Sequence, residues 1–312
     1  MKLHNRILSL LLAVVLLLGM IPVMAQRAEA IGETYSIYNF NDLFAYAKRG
    51  LTYSYANDTL ELMNNITLSE ADLQTLNNEG LSFGNYVVAA DKRVPFSGTF
   101  KGNGHKISGL KYDATLSVAV STALFAYTKD ATIENLTIEN ATLDADLLGG
   151  ILIGYAENTR VVNVTVKDSD LSVNCADNVL TLITDGGVIS GGMIGRAQNC
   201  TLYNCEVNAT RVHAADTGAV EALGGKGLYM GALVGSAEET TIEYCRVING
   251  SSVKNSYDVA VGALGGNKVY AGGITGQIKT NTKIIDSFST ASLYTYCATY
   301  VSVGAGNAGY VG

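Results

Sequence analysis

Asp144 with Asp146, and Asp168 with Asp170, are spaced as a strand-borne catalytic pair would be. Side chains at i and i+2 of a strand share one face, and glycoside cleavage uses two carboxyl groups facing one bond. Acidic clusters can also hold calcium in polysaccharide lyases, where a basic residue takes the sugar proton. No Lys or Arg recurs at a fixed place in the sequence to serve as that base, so solvated acids at strand ends are the competing reading. His105 and His213 are the only histidines beyond His4, and they form no H-E-x-x-H zinc motif. A Ser–His–Asp triad would need one of them, and no G-x-S-x-G elbow stands beside either. The five cysteines, Cys175, Cys200, Cys205, Cys245 and Cys297, include no C-x-x-C pair. Their odd, sparse count suits small buried residues better than a disulfide framework or a zinc site. The glycine-rich blocks lack the lysine and following helix of a phosphate loop. No catalytic, cofactor-binding or metal-binding residue is therefore assigned, no cofactor is expected, and the chain reads as a non-enzyme.

The residues that remain must be positioned by something, and the N-terminus says where. Lys2 and Arg6 precede an apolar run from Ile7 to Ile21, broken by Pro22 and followed by Ala28 and Ala30. A membrane span needs roughly 20 apolar residues, whereas this run has the length of a signal-peptide core. Residues 1–30 are thus expected to be a cleaved signal peptide, with a second possible cut after Ala25. The predicted location is extracellular or at the cell surface, without membrane insertion after cleavage. Beyond residue 30 the 21 basic residues fall to 18 and the 28 acidic ones to 27, a net charge of −9. That balance argues against nucleic acid and anionic membranes as partners. Trp, the commonest sugar-stacking ring, is absent, although the 18 tyrosines, Tyr294, Tyr296 and Tyr300 among them, could substitute.

A small-residue block recurs as Gly150-Ile151-Leu152-Ile153-Gly154, Gly191-Gly192-Met193-Ile194-Gly195, Gly231-Ala232-Leu233-Val234-Gly235 and Gly272-Gly273-Ile274-Thr275-Gly276. Its closing glycines are 41, 40 and 41 residues apart. With Ala123-Leu124-Phe125-Ala126 as a degenerate earlier copy, a second block keeps register about ten residues downstream of each: Ile133 to Ile138, Val161 to Val166, Leu202 to Val207, Ile242 to Val247 and Ile284 to Ser289. These segments alternate apolar and polar residues and are rich in β-branched side chains, so each reads as a half-buried strand. A third block, Ala222-Leu223-Gly224-Gly225 against Ala263-Leu264-Gly265-Gly266, holds the same period.

Such units bury their apolar faces only by stacking, which makes the fold class all-β: a right-handed parallel β-helix, or solenoid. Stacking would align Asn135, Asn163 and Asn204 in a turn ladder continued by Tyr244 and Asp286, and would make Cys205 and Cys245 neighbours on an internal ladder. The block glycines are expected to serve turns of positive φ and close contacts between coils. A period near 40 is long for one triangular coil, so each repeat is expected to supply two coils. Residues 31–95 read as an N-terminal cap with short helices: one capped by Asn41 or Asp42 with Gly50 just past its end, another opened by Ser69-Glu70-Ala71-Asp72 and ending near Gly80. Thr59 to Leu68 reads as a strand between them, and Phe96 to Leu110 as the first regular coil. Residues 96–312 form the β-helix proper. Gly309 to Gly312 restarts the block, so the chain is expected to be part of a longer protein.

The G-x-[ILM]-[ILV]-G blocks with the strand that follows resemble the GLUG repeat, and Phe96 to Ile107 resembles the opening coil seen ahead of such repeats. The resemblance covers about residues 96–312; the long, variable second half-repeats depart from it. It implies a bacterial surface or secreted protein, such as an adhesin-like chain or the non-catalytic region of an immunoglobulin-A-cleaving metallopeptidase. It implies a stalk or binding surface and no reaction. The expected partner is a host or cell-surface glycan or protein, and the chain is expected to be monomeric. The alternatives are a β-helical polysaccharide lyase or glycoside hydrolase, and the accessory region of a larger secreted peptidase.

Overall fold

The computed structural model describes residues 32–76, 81–86, 93–113, 121–145, 147–174, 188–216, 227–262, 268–302 and 308–311. The signal segment 1–30, the Ala222 and Ala263 blocks, Gly80, Asp146 and Cys175 lie outside the described residues, as do the side chains of Cys297 and Tyr300. Residues from Thr34 onward form a parallel β-helix of four stacked sheets. In the order the chain visits them, the first sheet has 13 short strands, the second and third six each, and the fourth five. The described strand pairs are parallel except one hairpin, Asn85–Tyr86 with Arg93–Val94.

Alternation in the sequence becomes vertical ladders in the core. On the first sheet Leu60, Phe100, Ile133, Val161, Leu202, Ile242 and Ile284 stand in one register. On the second, Tyr112, Leu143, Leu171, Val212, Val253 and Leu293 do the same. Phe125, Ile153, Ile194 and Val234 line the fourth. Parallel rungs about 4.8 Å apart let like side chains pack on like, which removes apolar area from water at every step.

Each repeat supplies one rung, not the two coils its length suggests. Arg160 pairs with Thr201 and Thr201 with Thr241, steps of 41 and 40 residues, whereas Thr132 pairs with Arg160 after only 28. The reason is extra chain between paired positions of the second and third sheets. Ala145 and Leu148 pair with Val173 and Ile189, so three residues in one rung become sixteen in the next, which accounts for the difference of 13. About 28 residues suffice for a rung, and in the later rungs part of the added chain lengthens the second-sheet strand, from four residues in Thr142–Ala145 to eleven in Ser252–Gly262 and Ser292–Ser302.

The block glycines also differ from expectation. None of Gly150, Gly191, Gly195 or Gly235 has positive φ. They are required because the third and fourth sheets meet at a corner where backbones touch: a Cβ on Gly191 would lie 2.1 Å from the Ile194 carbonyl oxygen, and one on Gly235 would lie 2.6 Å from those of Gly195 and Ser190. Left-handed residues instead build three other ladders. Asp130, Asn158, Asn199, Glu239 and Asn281 turn the fourth sheet into the first, and Asn140, Asp168, Ala209 and Asn249 turn the first into the second. Midway along the first sheet stand Asn135, Asn163, Asn204, Tyr244 and Asp286, with φ between 45° and 54°. Asn163 donates to Asn135 at 3.0 Å and Asn204 to Asn163 at 2.8 Å, as the sequence predicts.

The residue after a left-handed one often donates to the carbonyl two positions back. Thr159, Ser169, Thr210, Thr240 and Ser287 do so through hydroxyls at 2.7–2.9 Å. Cys200, Cys205 and Cys245 do so through their thiols at 3.1, 3.5 and 3.4 Å. These three buried cysteines are unpaired and act as turn donors. Burial raises the Cys200 thiol to about 11 and pushes Cys205 well up, so both stay protonated and able to donate.

The region before residue 96 contributes strands as well as helices. Thr34–Ile37 and Thr59–Leu62 begin the first sheet, and the predicted single strand to Leu68 is broken into Thr59–Leu62 and Ile66–Thr67. Helix α1 spans Phe40–Gly50 and is capped by Asn39, two residues before the expected cap, with Asp42 returning a bond to the Tyr38 amide. Gly50 is its last residue rather than a turn beyond it; a Cβ there would press on the Phe83 ring at 3.4 Å. Helix α2, Glu70–Leu76, opens with the predicted reciprocal box between Ser69 and Asp72. Tyr55, Phe83, Phe96, Phe100 and Phe125 pack ring against ring, with Tyr55 Oη donating to the Tyr46 carbonyl of helix α1 at 2.8 Å.

Candidate ligand-binding surface

Asp168 and Asp170 do not form the shared face that their spacing suggests, and the partner of Asp144, Asp146, lies outside the described residues. Asp168 occupies a left-handed corner at φ 51°, Ser169 turns inward, and Asp170 starts the next strand, Asp170–Asn174. Asp170 instead meets the following rung: its carboxylate ion-pairs with Arg211 and lies 2.7 Å from His213 Nε2. His213 is therefore engaged rather than isolated. Asp144 stands in register with Asp113 and Ser172 on the second sheet. His105 sits in a turn with Nδ1 3.3 Å from Asn65 Oδ1. The stretch Gly80-Leu81-Ser82-Phe83-Gly84 has nucleophile-elbow spacing, but Ser82 donates its proton to the Ala123 carbonyl at 2.8 Å and Phe83 is core. Among the described residues no group of three or more His, Cys, Asp or Glu is placed to hold a metal ion. Among them, too, no helix is long and apolar enough to cross a membrane.

The surface that the geometry singles out lies on the outer face of the first sheet. Tyr203, Asn204, Tyr244, Arg246, Asp286 and Phe288 line a shallow cavity of about 380 Å³, at the small end of the range for ligand pockets. In this part of the stack the strand is split at the left-handed position, as Thr201–Tyr203 with Glu206–Asn208 and Thr241–Glu243 with Arg246–Ile248. Residues flanking the split point outward, and the cysteine behind it points in.

Tyr203 and Tyr244 set their rings at 86° with centroids 5.5 Å apart, forming two walls of a corner. Tyr203, Tyr244 and Phe288 remain 39%, 47% and 53% exposed. Arg246 is fixed by Glu206, whose Oε2 accepts from Nε at 2.5 Å. Asn204 is held from below by Asn163. The floor is the backbone itself, with the Tyr244 amide donating to Ile285 and the Phe288 amide to Cys245.

Tyr244 is the informative residue. The ladder position it occupies is Asn in the three preceding rungs, and Asn tolerates positive φ through its short polar side chain. A tyrosine at φ 53° carries backbone strain, and such strain collects at functional sites. Sequence reasoning placed Tyr244 in the ladder but did not take its ring as a surface, and it passed over Tyr203, Arg246 and Phe288. The signal was available: an aromatic at a ladder position otherwise held by Asn.

Other tyrosines are used differently. Tyr127 and Tyr155 stack at 5.3 Å and are buried under Tyr86 of the hairpin, which pushes both phenols upward. Tyr229, Tyr270 and Tyr310 continue a stacked row at 4.9 and 4.8 Å on the third sheet. Tyr294 and Tyr296 are exposed on the second sheet as expected, with the Lys254 ammonium 5.9 Å from the Tyr294 ring.

No family model matches the chain, and no curated protein does. Two solved structures show a loose likeness. One is an IgA1 Protease, 13% identical with a TM-score of 0.39, covering 89% of this chain and 21% of that one. The chain thus spans about a fifth of the length of that protease chain. The other is L. reuteri 53608 SRRP, 13% identical with a TM-score of 0.18, covering 84% of this chain and 99% of that one. At these scores neither likeness says how this chain works.

Proposed function

We propose that this chain is an exported, GLUG-type surface module that binds a partner along its rod and catalyses nothing itself. The observation that carries this reading is the aromatic corner at Tyr203 and Tyr244, where an exposed ring stands at a left-handed ladder position held by Asn in the three preceding rungs. Support comes also from what surrounds it. Asp168 is spent on a corner turn and Asp170 on rung-to-rung ion pairs, and Cys200, Cys205 and Cys245 are spent on turns. The leader at residues 1–30 and the acidic remainder suit a protein displayed outside the cell. A rigid rod built from stacked rungs holds such a surface away from its point of attachment without needing a hinge.

The test is retention of the chain on arrays of glycans and of purified proteins, with released reducing and unsaturated sugar ends measured in the same wells. Retention without release is expected. A chain that is retained on no surface is a spacer. Asp170 with Arg211 and His213 favours a second reading, a polysaccharide lyase or hydrolase acting on the second sheet. It requires sugar release that disappears in Asp170→Asn.

A further inference from the structure

We infer that the corner formed by Tyr203, Tyr244 and Phe288 takes an uncharged pyranose of a surface or secreted glycan, an inference that rests on the binding reading above. A pyranose presents a patch of C–H bonds on one face and hydroxyls around its rim. It therefore needs a flat, electron-rich ring for the face and fixed polar groups for the rim. Both are here. The two tyrosine rings stand at 86°, so one supports the face of a sugar while the other closes its edge. Without tryptophan in the chain, tyrosine is the largest ring available for this task.

The rim has its partners in Asp286 and Arg246, which line the same cavity. A carboxylate accepts from two neighbouring hydroxyls, and a guanidinium donates to their oxygens through its planar fork. Arg246 is already oriented by Glu206, which holds Nε and leaves the terminal nitrogens directed elsewhere.

Charge decides the class of sugar. The single cation in the site is neutralised by Glu206, and Asp286 adds a further negative charge. The site is thus net negative on a net negative chain, which opposes uronic and sialic acids and phosphate groups alike. A neutral hexose or N-acetylhexosamine meets no such opposition.

Tyrosine emission reads the test directly, because no tryptophan masks it. The full chain is titrated with neutral glucan, galactan, mannan and chitin oligosaccharides, then with oligogalacturonate and sialyllactose. Saturable binding of at least one neutral series is expected, weakened tenfold or more in Tyr244→Asn. That variant restores the residue type of the preceding rungs, so its melting temperature should stay within a few degrees of the parent. Tyr294→Ala, on another sheet, should bind as the parent does. Binding of the acidic sugars alone overturns the inference while leaving the binding reading intact. So does retention on a protein surface that no saccharide competes away. Neutral-sugar binding indifferent to Tyr244→Asn also overturns it, by placing the site elsewhere. Retention on neither sugars nor proteins overturns both.

Discussion

The rungs before residue 174 and those after residue 188 are built on one plan with different residues at the same positions. In the earlier part the first two rungs are split, at Thr59–Leu62 with Ile66–Thr67 and Thr99–Lys101 with Lys106–Ser108, but the strands Thr132–Glu139 and Arg160–Lys167 then run unbroken for eight residues. Leu136 and Val164 fill the position behind the left-handed turn, and Asn135 and Asn163 close the ladder. In the later part the strand is split, cysteine replaces the aliphatic residue, and Tyr244 and Asp286 replace the asparagine. The earlier rungs also carry the ring cluster around Phe83 and Phe125, which closes the N-terminal end of the stack. The difference teaches that a ladder position which only needs to turn the chain can take a large exposed ring once neighbouring rungs secure the register.

The largest effect should come from the closing end. Phe125 has no exposed surface and touches Phe83, Phe96 and Phe100, so Phe125→Ala should cost about 3–5 kcal/mol by chemical denaturation. A loss below about 1 kcal/mol would mean that the ring cluster is not what secures the stack. Next comes the corner of the later rungs. Gly235→Val drives a side chain into the Gly195 and Ser190 carbonyls and should cost about 3 kcal/mol, through collision rather than through φ. Unchanged melting would contradict the close approach of the third and fourth sheets.

A smaller effect belongs to the charged ladder of the earlier rungs. Glu139 is buried between Lys106 at 2.5 Å and Lys167 at 2.9 Å, tying three rungs together. Hydrogen bonds from these two lysines hold its carboxyl below the usual range. A folded-state pKa below the unfolded one adds stability that is present above about pH 5 and fades as pH falls through the folded value. Glu139→Gln should cost about 1 kcal/mol at pH 7, discounted for the partly exposed lysines, and its deficit should shrink as pH falls through the folded-state value. A deficit independent of pH would assign the loss to packing instead. The smallest effect is expected at Cys245→Ser. Its hydroxyl can make the same bond to the Glu243 carbonyl that Ser287 makes to Ile285, so stability should change by less than about 1 kcal/mol. A large loss would show that the thiol fills space that a hydroxyl cannot.

The period, the strands and the Asn ladder were legible because each depends on local pattern repeated in register. Rung length was not, because spacing counts residues and cannot say whether thirteen of them form strand or lie outside it. The block glycines were read correctly as close contacts and incorrectly as positive-φ turns, since both demands select the same residue. The Asp168 and Asp170 pairing failed for a related reason: i, i+2 geometry holds within a strand, and a left-handed corner interrupts it. The aromatic corner joins residues from three successive rungs, and only the stacking register brings Tyr203, Tyr244 and Asp286 together.

The claim that the rod binds without cleaving is tested most directly by following bound chain and released sugar ends together on one polysaccharide panel. The account predicts retention that Tyr244→Asn reduces tenfold or more, with no release of reducing or unsaturated ends above buffer. Sustained release that is lost in Asp170→Asn and untouched by Tyr244→Asn would contradict it and move the function to the second sheet.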